Sequence, residues 1–187
     1  METRNFYILI ASVIIGMSVF WLSAYAFIIL DVDPLQNIKN WFIDEDTVVI
    51  TIKGEVVIER EFTFAEIKSD KYLQVKDQTF HIVNAIGREY DLVYSGVSLW
   101  SLLEEENLLT PSSLSFLMIG GDGYYAESYL NLSLAENYPQ QVILAYEQDG
   151  QPLFLDGPIR SVVDHSLIPD KATTHYSIQN LKTILIQ

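Results

Sequence analysis

Arg160 is the side chain whose chemistry stands out first. Between Glu89 and Gln187 it is one of three basic residues, against 13 acidic ones. A guanidinium fork donates two parallel hydrogen bonds and so suits phosphate, sulfate or carboxylate. An internal pair with Asp156 or Asp164 that fixes the local loop fits the same residue types, and both readings stay open. His165 and His175 are ten positions apart, with no carboxylate at helical metal-ligand spacing, so no metal is assigned to them. Cysteine is absent, which removes disulfides, thiolate nucleophiles, iron–sulfur clusters and Cys-ligated zinc. Ser98, Ser112 and Ser113 have no base close by in sequence, and no Gly-x-Ser-x-Gly elbow surrounds them. No glycine-rich phosphate loop ending in lysine follows a strand. Asn131-Leu132-Ser133 matches the glycosylation acceptor pattern, a triplet that also arises by chance.

Those residues need a scaffold and a compartment. The chain has 187 residues and a formal net charge of −14, from 11 Lys plus Arg and 25 Asp plus Glu. That balance excludes nucleic acid as a partner, since phosphate backbones need clustered Lys and Arg. It also repels anionic headgroups. Hydrophobic residues make up 49% and charged residues 19%, so the chain is not an acidic disordered tail. Part of that hydrophobicity lies in Phe6–Leu30, 25 residues without a charge. At about 1.5 Å rise per residue, such a helix exceeds a hydrocarbon core of roughly 30 Å. Trp21 and Tyr25 lie near its distal end, where aromatic rings favour the interface. Arg4 precedes it, and Asp31 and Asp33 follow. Positive-inside logic therefore puts residues 1–5 in the cytoplasm, residues 6–30 in the membrane and residues 31–187 outside. A cleaved signal peptide ending at Ala24-Tyr25-Ala26 is the competing reading, disfavoured by the length of the apolar stretch. Residues 31–46 read as a juxtamembrane spacer ending in a solvated Asp44-Glu45-Asp46 triplet, and residues 47–187 as one globular domain.

Within that domain, strands alternate with a few short helices. Val48–Ile52 is β-branched, and Lys53-Gly54 before Val56–Ile58 predicts a hairpin. Thr63-Phe64-Ala65-Glu66 fits a capping box that starts a short helix. Residues 72–83 predict extended chain with Val75, Phe80 and Ile82 inward, and residues 91–94 a further strand. Ser98 predicts an N-cap for a helix burying Leu99, Leu102 and Leu103. Leu114–Ile119 predicts a buried strand leading into a corner at Gly120–Gly123, and residues 132–137 a helical turn. Val142–Tyr146 predicts a strand, Asp149-Gly150 its hairpin turn, and Pro152–Leu155 the return. Residues 159–163 and 178–186 complete the set. No regular βαβ alternation is present, so the fold class expected is β-rich α+β.

The order of motifs resembles the sulfite-oxidase-type molybdopterin-binding domain family. Gly96-Val97-Ser98-Leu99-Trp100-Ser101-Leu102-Leu103-Glu104 is similar to that family's Gly-Val-Pro-Leu…Leu-Leu-Glu segment. Gly121-Asp122-Gly123-Tyr124 resembles its Asp-Gly-Tyr corner, and Val142–Glu147 with Gly150-Gln151-Pro152-Leu153 its Leu-Ala-Tyr…Gly-x-Pro-Leu hairpin. Gly157–Val163 resembles its Gly-Pro-Leu-Arg-Leu-Val-Val stretch. The resemblance covers about residues 47–187 and implies that family's mixed α+β fold. It implies cofactor-facing roles for Asn84, Asp122, Gly123, Tyr124, Gly157 and Arg160. It also implies molybdopterin, with molybdenum held by one cysteine ahead of the Gly-Val-Pro-Leu motif. Here that stretch is Phe80–Gly87 and has no cysteine. A soft thiolate is not replaced by another residue type without changing the metal's electronics. His81 reads as an ordinary strand histidine, with a substitute ligand as the alternative. Cations for a cofactor phosphate are few: Arg88, Arg160, Lys171 and Lys182.

The expected function is a membrane-anchored, extracytoplasmic domain of the molybdopterin-dependent oxidoreductase fold, non-catalytic and used to bind a ligand or partner. No catalytic residue and no protein metal ligand is assigned. One alternative is an active molybdopterin-dependent oxidoreductase with a non-cysteine ligand set and a membrane or redox protein partner. The other is an accessory subunit of a membrane complex.

Overall fold

The computed structural model describes residues 43–153 and 157–187, all within one contact unit, Asn40–Gln187. The predicted anchor at residues 6–30 lies outside the described residues. Among the described residues no helix is long and apolar enough to cross a membrane.

The first sheet is built on β1 (Val48–Gly54), whose β-branched run suits a pleated, half-buried surface. Its partners are β2 (Arg60–Thr63), β5 (Ser115–Gly120), β6 (Leu130–Asn131) and β10 (Leu181–Ile186), in the order β2-β1-β10-β5-β6. β1 pairs with β10 in parallel and with β2 antiparallel. The hairpin predicted between Val48–Ile52 and Val56–Ile58 does not form. Gly54 stays in the strand opposite Ile186 at φ +102, where a Cβ would stand 2.2 Å from the Ile186 carbonyl oxygen. The glycine thus serves the close approach of β1 and β10, and the chain swings out before returning as β2. Val57 and Ile58 are left exposed, at 66% and 65%. Thr63 then caps α1 (Phe64–Ile67) with the full reciprocal capping box.

The second sheet contains β3 (Gln74–Val83), β4 (Glu89–Ser98), β7 (Val142–Gln148) and β8 (Gln151–Pro152), with β9 (Arg160–Val163) on β7 beside β8. β7 turns into β8 through Asp149 and Gly150, both at positive φ, the geometry of a tight hairpin. α2 (Leu99–Glu105) starts at Ser98, whose hydroxyl accepts the Ser101 amide, and buries Leu99, Leu102 and Leu103. α3 (Leu132–Asn137) is capped by Asn131. Short 3₁₀ turns span His165–Leu167 and Thr173–His175.

β7 is apolar along most of its length because this central strand is buried on both faces. Val142, Leu144 and Tyr146 join the main core with β1, β10 and α2. Ile143 and Ala145 face a smaller cluster with Val75, Phe80, Ile82, Tyr94 and Val162. The outer edge of β3 is met by side chains. The His81 amide donates to Asp164 at 2.9 Å. The Val83 amide donates to Thr173 Oγ1 at 2.8 Å, and that hydroxyl donates back to the Val83 carbonyl at 3.0 Å. Leu114, expected at the head of a buried strand, is 68% exposed; β5 begins one residue later and alternates, with Phe116 and Met118 inward. Of the expected return strand at residues 152–155, only Pro152 lies in β8; residues 154–156 are not described.

Candidate functional site

A cavity of about 590 Å³ opens over the face of the second sheet that carries the smaller apolar cluster. Its floor comes from strand periodicity. Tyr90, Leu92 and Tyr94 share one face of β4, and Ile82 stands on β3 beside them. Tyr94 is buried, its ring edge-on to Phe80 at 5.9 Å between centroids. Arg160 opens β9 opposite Ala145, and its guanidinium carbon lies 5.8 Å from the centre of the Tyr94 ring. That arrangement orients the planar fork over an aromatic face. Gln148 at the end of β7 completes this side.

The opposite wall comes from two loops held together. In the corner after β5, the Gly120 amide donates to the Tyr124 carbonyl at 2.7 Å, and the Gly123 amide to the Gly120 carbonyl at 3.1 Å. Asp122 Oδ1 accepts the Tyr124 amide at 2.9 Å. This tight loop presents Asp122 and a half-exposed Tyr124 to the cavity. The second loop supplies Thr174, Ser177 and Gln179. Its end is fixed at Asn180, whose carbonyl accepts the Gly121 amide at 2.9 Å. Gly157, at φ +74, presses on the same residue: a Cβ there would lie 2.6 Å from the Asn180 Cα.

Of the six residues that the resemblance implied, Asp122, Tyr124 and Arg160 come together at this cavity. Gly123 shapes the corner, and Gly157 backs the loop that ends at Asn180. Asn84 is elsewhere. Its Oδ1 accepts the Ile86 and Arg88 amides at 3.1 and 2.9 Å, so the side chain closes the turn between β3 and β4. His81 is likewise outside the cavity. Its Nδ1 lies 2.9 Å from Asp91, its Nε2 3.6 Å from Glu89, and its ring 5.6 Å from that of His165. The hydrogen bond to Asp91 holds His81 above the usual histidine range. Sequence reasoning missed Tyr90, Tyr94 and Gln148, although the period-two spacing of Tyr90 and Tyr94 was a usable signal. It also missed Thr174, Ser177 and Gln179, whose loop carries no local signature.

Among the described lining residues Arg160 is the one cation and Asp122 the one carboxylate. Ser177 is 8% exposed, and its hydroxyl has no hydrogen-bond partner. A buried hydroxyl without a partner is costly.

The described residues form a β-rich α+β domain with one cavity that brings Arg160, Asp122 and Tyr124 together. Among solved structures the chain is similar to the sulfane dehydrogenase SoxCD from Paracoccus pantotrophus, with a TM-score of 0.58 at 15% identity. The match covers 76% of this chain and 39% of that chain, and at this identity it concerns the fold alone. No protein-family model and no curated protein matches the chain. The donor set does not reproduce thiolate ligation of molybdenum. The chain has no cysteine, and the described residues contain no group of three or more His, Asp or Glu arranged to hold a metal ion.

Proposed function

We propose that this chain is a membrane-anchored, extracytoplasmic domain that has kept the molybdopterin-oxidoreductase type of fold as a binding module and performs no molybdenum chemistry. The observation that carries this reading is the composition of the Arg160 cavity. One guanidinium and one carboxylate converge between tyrosine walls, with no thiolate in the chain. Such a cavity suits a small molecule with an anionic group, held by the guanidinium fork and stacked on a tyrosine ring. A protein partner presenting a carboxylate side chain would use the same chemistry. The uncharged run Phe6–Leu30 supports the anchor, and Arg4 against Asp31 and Asp33 supports the orientation.

The test is elemental. The full chain is expressed in an exporting host that makes molybdopterin, and molybdenum and released pterin are measured per mole of purified protein. The expected content is near zero, while a cysteine-containing relative from the same host is loaded. Near-stoichiometric metal and pterin would overturn the reading in favour of an active oxidoreductase with a non-cysteine ligand set. Binding is followed separately by tyrosine fluorescence during titration with sulfate or phosphate. Arg160→Gln is expected to weaken any response at least about tenfold, the loss of one charge-assisted pair.

A further inference from the structure

The Arg160 cavity carries two charges of opposite sign on opposite walls. Arg160 stands on β9, and Asp122 on the corner after β5. The other polar side chains among the described lining residues are neutral amides and hydroxyls. The Asp122 carboxylate is held in place. Its Oδ1 accepts the Tyr124 amide at 2.9 Å. A Cβ at Gly120 would stand 2.8 Å from that same oxygen, so glycine at 120 leaves room for the side chain to fold back over the corner. One such bond leaves most of the lone pairs of a carboxylate for a ligand. A guanidinium has five N–H donors, so bonds made elsewhere still leave donors for a ligand. The floor adds apolar surface from Ile82, Tyr90 and Leu92, the last two only half-buried. A ligand of a single charge sign fits this pair poorly. An inorganic anion on Arg160 shares the cavity with the Asp122 carboxylate, and a simple cation on Asp122 shares it with Arg160; like charges repel in a partly enclosed site. A ligand that carries both signs satisfies both walls at once.

We propose that this cavity binds a free α-amino acid with an apolar side chain. The ligand carboxylate takes two parallel hydrogen bonds from the Arg160 fork, and the ligand ammonium donates to Asp122. The ligand side chain lies on the floor of Ile82, Tyr90 and Leu92. A volume of about 590 Å³ falls in the range of small-molecule sites, and an apolar floor with a few placed polar groups is their usual composition. This inference rests on the reading of the Arg160 cavity as a binding site, and it narrows the ligand from an anion to a zwitterion.

The test is calorimetric titration of the full chain in detergent with L-leucine and L-phenylalanine. N-acetyl-L-leucine, which keeps only the carboxylate, L-leucinamide, which keeps only the ammonium, and sulfate are titrated alongside. Circular dichroism checks the fold of each variant. The free amino acids are expected to bind at least about tenfold more tightly than either single-charge analogue, the loss of one charge-assisted pair. Asp122→Asn, which keeps an oxygen for the Tyr124 amide, should weaken L-leucine at least about tenfold while N-acetyl-L-leucine shifts by less than about twofold. Arg160→Gln should weaken L-leucine and N-acetyl-L-leucine alike and spare L-leucinamide. Equal affinity for L-leucine and N-acetyl-L-leucine, with Asp122→Asn indistinguishable from wild type, would overturn the inference and leave the cavity an anion site. Silence with both amino acids also overturns it. In that case a response to sulfate keeps the broader reading of the cavity, and silence with sulfate removes that reading as well.

Discussion

Glu106 gathers three partners at the residue scale. Lys71 and the Tyr72 hydroxyl donate to its carboxylate, and Arg60 Nε lies 3.7 Å away. The Lys71 hydrogen bond, then that of Tyr72, holds the Glu106 carboxyl below its ordinary range. A depressed carboxylate pKa contributes stability that is present above the unfolded value, about 4.3, and lost as pH falls through the folded one. Urea denaturation from pH 7 to pH 3 is therefore expected to show stability falling on the acid side. Glu106→Gln should lose about 1–2 kcal/mol at pH 7 and flatten that acid-side slope. An unchanged slope would assign the acid sensitivity elsewhere. Gly157 is the second decisive residue. Its φ of +74 and its approach to the Asn180 backbone leave no space for a methyl group. Gly157→Ala should cost about 1–3 kcal/mol by denaturant midpoint. It should also weaken anion binding at Arg160, since the displaced loop carries Ser177 and Gln179.

At the scale of elements, the edge of β3 is the informative feature. A bare strand edge invites pairing with another chain. Here Asp164 and the buried Thr173 take up the His81 and Val83 amides. Thr173→Val keeps the shape but leaves the Val83 amide and carbonyl without that partner. A loss of about 1–3 kcal/mol is expected, with faster hydrogen exchange confined to the Val83 end of β3. Uniformly faster exchange would show that Thr173 acts through the core. The capped elements behaved as their local chemistry dictates. Thr63, Ser98 and Asn131 each accept an amide from the first turn of the helix they precede. The expected hairpin at Gly54 failed because a positive-φ glycine serves both tight turns and close strand approach, and only the position of β10 separates the two.

At the scale of the whole molecule, the net charge of −14 and the uncharged run Phe6–Leu30 frame the expectations. The full chain should remain in the membrane pellet after alkaline carbonate extraction and enter solution only with detergent. A carboxy-terminal alkaline phosphatase fusion should be active in a bacterial host. Release by carbonate would remove the anchor from the proposal and favour cleavage near Ala26. Inactivity of the fusion would reverse the orientation.

Much of the fold was legible because its signals are local. Capping residues, the apolar run of β7, the Asp149-Gly150 turn and the apolar face of α2 each depend on a few neighbouring side chains. The cavity was legible in part, through motifs whose arginine, aspartate and tyrosine converge on it. Asn84 could not be separated from the others, because an asparagine that closes its own turn and one that faces a ligand look alike in sequence. By itself the sequence determined the absence of thiolate chemistry, the acidity, and a β-rich α+β chain. Tertiary structure alone decided which loop sets Thr174, Ser177 and Gln179 against the cavity that Arg160 and Asp122 share. The reason is physical: hydrogen bonds act over about 3 Å in space, and contacts between residues more than 40 positions apart are set by the packing of sheets and loops.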